Sequence, residues 1–200
     1  MTALDEARLG LLRDAERLID PERLAEIITG MTGIPSPTGE EGELARWVVS
    51  TLAASGVDAS YQPIDDDQGN AVARLRGDGT GPDLLLYAPI DTLTTGDPGE
   101  DLPHVGTALR YDMEPNPVRD GDYVIGLGAS NPKGHAACLV AALEILHRAA
   151  RRCAATSSSG WARAGCPRTS APPRTSAGTT QGRATAARSC WSRASGPTTP

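Results

Sequence analysis

The stretch LLLYAPIDT, residues 84–92, decides the fold class of this 200-residue chain. Its first five residues form a continuous apolar run, which predicts a strand buried on both faces of a sheet. Asp91 and Thr92 follow at the end of that strand, where α/β sheets usually bind ligands. The stretch therefore predicts a central sheet with a functional site just beyond the strand.

Helical and strand patterns alternate on both sides of this stretch. Asp20 and Pro21 are a typical cap and first-turn pair, and Thr38 and Glu41 have the spacing of a capping box. The predicted fold class is α/β, an incomplete mixed-sheet sandwich with helices on both faces. Helices are expected at 4–18, 20–29, 38–56 and 132–150, and strands at 57–63, 71–76, 84–88 and 123–126.

The composition changes abruptly after residue 150. Residues 1–150 hold all 25 acidic side chains with 11 basic ones, a net charge of −14, whereas residues 151–200 carry +8. The last fifty residues also contain no Leu, Ile or Val. We therefore predict a partial catalytic-type domain at 1–150 and a low-complexity basic tail at 151–200, disordered because it has little apolar surface to bury.

A shifted reading frame is one explanation of this tail. If the message is read two bases later with G- and C-rich third bases, residues 151–169 gain apolar runs such as LVVGLG, typical of a buried strand. The alternative is a genuine basic tail. Our hypothesis is that residues 151–200 are a frameshift product without a function of their own.

The overall charge and hydropathy exclude several classes of protein. The net charge of −6 argues against nucleic acid as a partner, because such binding needs a basic patch. No apolar run reaches the length of a membrane span, and the first residues lack the pattern of a secretory signal. A cytoplasmic location is therefore expected, with no membrane partner.

A second stretch, GLGASNPKGH at residues 126–135, follows the last predicted strand. Its glycines would let the backbone turn tightly and bring a helix start, with its free amides, to the site. Lys133 and Gly134 are candidates for binding a substrate carboxylate, and Asp91 and His135 for acid or base catalysis. Structural alternatives stay open: a turn residue for Asp91, a loop contact for Lys133 and a solvent-facing helix position for His135.

Together these motifs resemble the zinc metallopeptidase and amidohydrolase family of aminoacylases, acetylornithine deacetylases, succinyl-diaminopimelate desuccinylases and glutamate carboxypeptidases. The similarity covers about residues 20–150 and is specific in combination. It implies the N-terminal part of a catalytic domain, without the smaller domain that provides dimer contacts in the family. The matching motifs are IPSxxGxE at 34–41, GN at 69–70, LLLxGHxDTVP from 84 and GRGAxDMKGG from 126.

The resemblance implies amide hydrolysis in which two zinc ions polarise the substrate and activate a bridging water. This chain departs from the family at both motifs: Pro89 stands at the position of the family's His ligand, and Asn131 at that of its bridging Asp. Asp91 remains, but the His that it would orient is missing. The family's adjacent Glu pair is missing as well, because residues 151–200 contain no Glu. Zinc is therefore expected for the family but not for this chain.

Three functions follow from these observations. The first is a truncated and inactive member of a family that hydrolyses small N-acyl or peptide-like amides. The second is a pseudoenzyme or scaffold protein that holds a small amide or carboxylate ligand at residues 131–135 without a metal. The third is an unconventional hydrolase that uses Asp91, Lys133 and His135.

Overall fold

The computed structural model describes residues 6–77, 82–106 and 108–158. These residues form α-helices and short antiparallel strands, so the predicted α/β class is confirmed. None of the described helices is long and apolar enough to cross a bilayer. In chain order the elements are α1 (Glu6–Glu16), α2 (Pro21–Thr32), α3 (Gly42–Ala54), β1 (Asp58–Pro63), β2 (Gly69–Arg74), α4 (Pro98–Val105), β3 (Val118–Asp120), β4 (Tyr123–Ile125) and α5 (Lys133–Ser158), with a 3-10 turn at Tyr111–Met113.

Helices α2, α3 and α5 share one hydrophobic core with the β1–β2 hairpin. Helix α2 packs along α5, and α3 packs on the inner face of the hairpin. The helical spacing in α3 predicts its buried face, and Leu44, Val48 and Leu52 are indeed buried. The core also contains Ile27, Met31, Val57, Ala136, Ala137 and Val140.

Helix α5 starts where the sequence predicts and reaches Ser158. It therefore continues past residue 150, where the composition changes. Of the tail predicted at 151–200, residues 151–158 belong to α5, and residues 159–200 lie outside the described residues.

One predicted helix cap is confirmed and the other is wrong. The Asp20 side chain accepts hydrogen bonds from the backbone amides of Glu22 and Arg23, as its position before Pro21 predicts. The predicted capping box at Thr38 does not form, because α3 begins only at Gly42. The Thr38 hydroxyl instead donates to a carboxylate that lies 53 residues away in the chain. A tertiary partner has therefore replaced the local one.

The prediction of a doubly buried strand at 84–88 is also wrong. Leu84, Leu85 and Tyr87 are 83%, 89% and 77% exposed, and the segment belongs to no strand. Only Ala88 and Ile90, at its far end, pack against the core. The described strands pair as β1 with β2 and β3 with β4, both antiparallel. Because neither pair reaches residues 84–88, the apolar run has no neighbouring strand among the described residues.

A buried ion pair joins the helices on another side of the domain. Glu144 of α5 is 3% exposed and accepts two hydrogen bonds from the Arg23 guanidinium of α2, at 2.8 and 3.1 Å. Ser55 directly follows α3, and its hydroxyl donates to the same carboxylate at 2.7 Å. The contacts of Glu144 thus link α2, the end of α3 and the middle of α5.

Candidate functional site

Two chain segments that the sequence predicts to be functional lie side by side. Pro37 and Thr92 form an isolated parallel bridge. The Thr38 amide donates to the Thr92 carbonyl at 3.0 Å, and the Thr92 amide donates to the Ser36 carbonyl at 2.8 Å. This short pairing aligns residues 36–38 with residues 90–92 and fixes the position of Asp91.

The Asp91 carboxylate is engaged by a hydroxyl. Thr38 Oγ1 donates to Asp91 Oδ2 at 2.8 Å, and Asp91 itself is half-buried. Pro89, two residues earlier, is exposed. Ser36 is completely buried and its hydroxyl donates to the Ile90 carbonyl at 2.8 Å. These hydrogen bonds thus hold Asp91 at the edge of the two paired segments, residues 36–38 and 90–92.

The glycine-rich turn packs closely against these two segments. Gly128 has a φ of +80°, and a Cβ at this position would lie 3.0 Å from Thr92 Cγ2 and 3.1 Å from Lys133 Cδ. A side chain at residue 128 would therefore be strained and crowded. At Gly134, a Cβ would collide with the Ala129 carbonyl oxygen. Both glycines let the start of α5 fold tightly onto the turn.

Lys133 points into the protein. Its side chain is completely buried, and Nζ donates to the Ile34 carbonyl at 2.7 Å. Burial lowers the pKa of Lys133 from 10.5 to about 8. Among the described residues, no carboxylate forms an ion pair with this amine. The arrangement fits the structural alternative for Lys133, a contact to a neighbouring loop.

Among residues 6–77, 82–106 and 108–158, no hydrogen bond or ion pair joins Asp91 to the remaining candidates. His135 is exposed in the first turn of α5, and Asn131 is exposed in the turn before it. Asp91 and Lys133 contact different residues of the same loop, Thr38 and Ile34. The structure thus brings the two sequence motifs together without forming an acid–base pair from the candidate side chains.

Two surface grooves in the described part of the chain have linings that do not include the candidate residues. One, of about 250 Å³, is lined by Arg23 and Glu144, about 16 Å along α5 from Lys133 at the usual helical rise. The other, of about 440 Å³, is lined by residues of α4 and of the segment 108–116. Neither groove borders Asp91.

The zinc pair that the resemblance implies does not fit the residues present. A zinc ion takes three or four nitrogen, sulfur or carboxylate ligands. The Pro89 side chain has no donor atom, Asn131 offers a neutral amide, and Asp91 supplies a single carboxylate. Among residues 6–77, 82–106 and 108–158, no group of three His, Cys, Asp or Glu side chains is placed to hold a metal ion.

Sequence reasoning missed the residues that organise this region. Ser36 and Thr92 had no assigned role, and Thr38 was assigned to a helix cap. Each acts through a hydrogen bond to a residue more than fifty positions away. No local pattern could have identified these partners, because hydroxyl residues are common in loops and at helix starts.

The comparisons with known proteins include a partial similarity to a hydrolase. No family model matches the chain. Over 76 residues it is 37% identical to a protein of Thermococcus kodakarensis named "Putative LysW-lysine/LysW-ornithine hydrolase". The match covers 38% of this chain and 20% of the relative, so the aligned segment spans about one fifth of the relative's length. This similarity supports a relationship to hydrolases in general.

Proposed function

We propose that this chain is related to hydrolases that cleave the amide bonds of small N-acyl or peptide-like compounds, and that it does not catalyse that reaction itself. The partial similarity to a hydrolase supports the relationship. The observation that supports inactivity is the engagement of Asp91 by Thr38, at 2.8 Å, beside a proline that has no donor atom.

Amide hydrolysis needs a polarised carbonyl and a water that can lose a proton. In this chain the buried Lys133 amine donates to a backbone carbonyl, so it is not presented to a substrate. His135 is exposed and has no hydrogen bond from the described residues that would orient its imidazole. Among the described residues, Asp91 therefore has no basic side-chain partner with which to activate water.

The test is an amide-hydrolysis assay on the purified full chain. N-acetyl and N-succinyl amino acids would be incubated with the protein in the presence of zinc and in the presence of a chelator. We expect no release of free amino acid above the buffer background in either condition. The Asp91→Asn variant is the matched control, since a contaminating hydrolase would be equally active in both preparations.

Zinc-dependent turnover by the wild type that is lost in Asp91→Asn would contradict the proposal of inactivity. Thermal stabilisation by a small carboxylate without turnover would favour a binding protein instead, because a ligand that binds only the folded state raises the melting temperature.

A further inference from the structure

We propose that Asp91 and Thr38 form a metal-independent clasp between residues 34–38 and residues 90–92, and that this carboxylate does not serve as a zinc ligand. The clasp consists of the Thr38–Asp91 hydrogen bond together with the backbone pairing around Thr92. The inference rests on the contacts of these residues and not on the proposed function.

The Thr38–Asp91 hydrogen bond lies among other hydrogen bonds that join the same two segments. The Thr38 hydroxyl donates to the Asp91 carboxylate at 2.8 Å, an ordinary length for a hydrogen bond between oxygen atoms. The backbone bonds of Thr38 and Thr92 flank it on the same two segments. The Ser36 hydroxyl adds a fourth contact through the Ile90 carbonyl. The two segments are thus joined by hydrogen bonds at successive positions.

The residues beside Asp91 leave it poorly suited to a metal. A single carboxylate supplies one of the several ligands that zinc requires. The neighbouring position on the same face, Pro89, adds none, since side chains alternate along an extended segment. A zinc ion bound to Asp91 would therefore lack the rest of its ligands.

The clasp is tested by hydrogen exchange at the Thr92 amide, which donates to the Ser36 carbonyl. None of the substitutions below changes Thr92 or Ser36, so exchange at this amide can be compared between all variants. Thr38→Val removes the hydroxyl and keeps the side-chain shape, whereas Thr38→Ser keeps the hydroxyl. Exchange at Thr92 is measured relative to the Val57 amide, which bonds to Leu52 in the core and reports global unfolding.

We expect the ratio of Thr92 to Val57 exchange to rise about tenfold or more in Thr38→Val, because a hydrogen bond to a charged group is lost. In Thr38→Ser the ratio should stay near that of the wild type. An unchanged ratio in Thr38→Val, or a rise of the same size in Thr38→Ser, would overturn the clasp.

The zinc part is tested by competition between the full chain and a chromophoric chelator. Zinc affinity is compared in the wild type and in Asp91→Asn, so that thiols or imidazoles elsewhere contribute equally to both. We expect the two affinities to agree within twofold. Binding that is at least tenfold weaker in Asp91→Asn would show that Asp91 is a ligand and would overturn the inference.

Discussion

Lys133 is the sole lysine of the chain, and its buried amine gives a pH dependence that can be measured directly. The side chain is completely buried at the first residue of α5, where the helix dipole also disfavours a cation. Burial lowers its pKa from 10.5 to about 8, which corresponds to a cost of about 3 kcal/mol for holding the charged form in the folded protein.

The sign of the effect follows from proton binding. Below pH 8 the amine is protonated in both the folded and the unfolded state, so the full cost of burial destabilises the protein. Between pH 8 and 10.5 the folded state releases this proton while the unfolded state keeps it. Because the unfolded state then binds more protons, stability rises with pH, by about 1.4 kcal/mol per pH unit.

The perturbation is Lys133→Met, which removes the charge and keeps a long apolar side chain. At pH 7 we expect the variant and the wild type to agree within about 1–2 kcal/mol, since the lost hydrogen bond to Ile34 offsets the relieved burial of charge. Between pH 7 and pH 9.5 the free energy of unfolding of the wild type should rise by about 2 kcal/mol relative to that of the variant. Ionisable groups other than Lys133 contribute equally to both proteins, so their contributions cancel in the difference between the two free energies of unfolding.

Two measurements check this expectation. Urea unfolding of both proteins at several pH values gives the difference in stability. A titration of the lysine ¹³Cε chemical shift gives the pKa itself, without assignment, because the chain contains a single lysine. A midpoint near 10.5, or a stability difference that does not change with pH, would refute the description of Lys133 as a buried amine.

Four further substitutions, one of them a control, test the fold. Glu144→Gln should lower the free energy of unfolding in urea at pH 7 by about 2 kcal/mol, because its partly exposed arginine partner loses its counter-charge. Burial raises the pKa of Glu144 and its hydrogen bonds lower it, with a net decrease. The difference between Glu144→Gln and the wild type should therefore vanish well below pH 4.5, where Glu144 is protonated in both the folded and the unfolded state. Gly69→Ala would place a methyl group in the Tyr61 ring and should cost about 2 kcal/mol, whereas Gly77→Ala, with open space around it, should change stability little. Leu85→Ser, at an 89% exposed site, should leave stability within about 0.5 kcal/mol and reduce light scattering from aggregates.

Most of the helical architecture was predictable because its causes are local. The cap at Asp20 needs only the amides of the next turn, and the buried face of α3 follows from the spacing of Leu44, Val48 and Leu52. Gly56 ends α3 with a φ of +82°, a conformation that glycine adopts without strain. These signals span less than four helical turns, so neighbouring residues suffice to specify them.

The candidate site was predictable only in outline. Two motifs were expected to meet, and the structure places both beside residues 34–38. The roles of the side chains depended on partners that the motifs do not contain: Thr38 lies 53 residues from Asp91, and Ile34 lies 99 residues from Lys133. The local sequence alone therefore favours a cap-forming role for Thr38 and a carboxylate-binding role for Lys133.

The sequence by itself determined the α/β class, the approximate positions of α1, α2, α3 and α5, and the absence of a donor atom in the Pro89 side chain. Only the tertiary structure decided that residues 84–88 are exposed, because burial of an apolar run depends on whether a neighbouring strand covers it. It also decided that Lys133 points inward and that Asp91 accepts the Thr38 hydroxyl. Residue type fixes which contacts are chemically possible, whereas the packing of distant segments fixes which of them form.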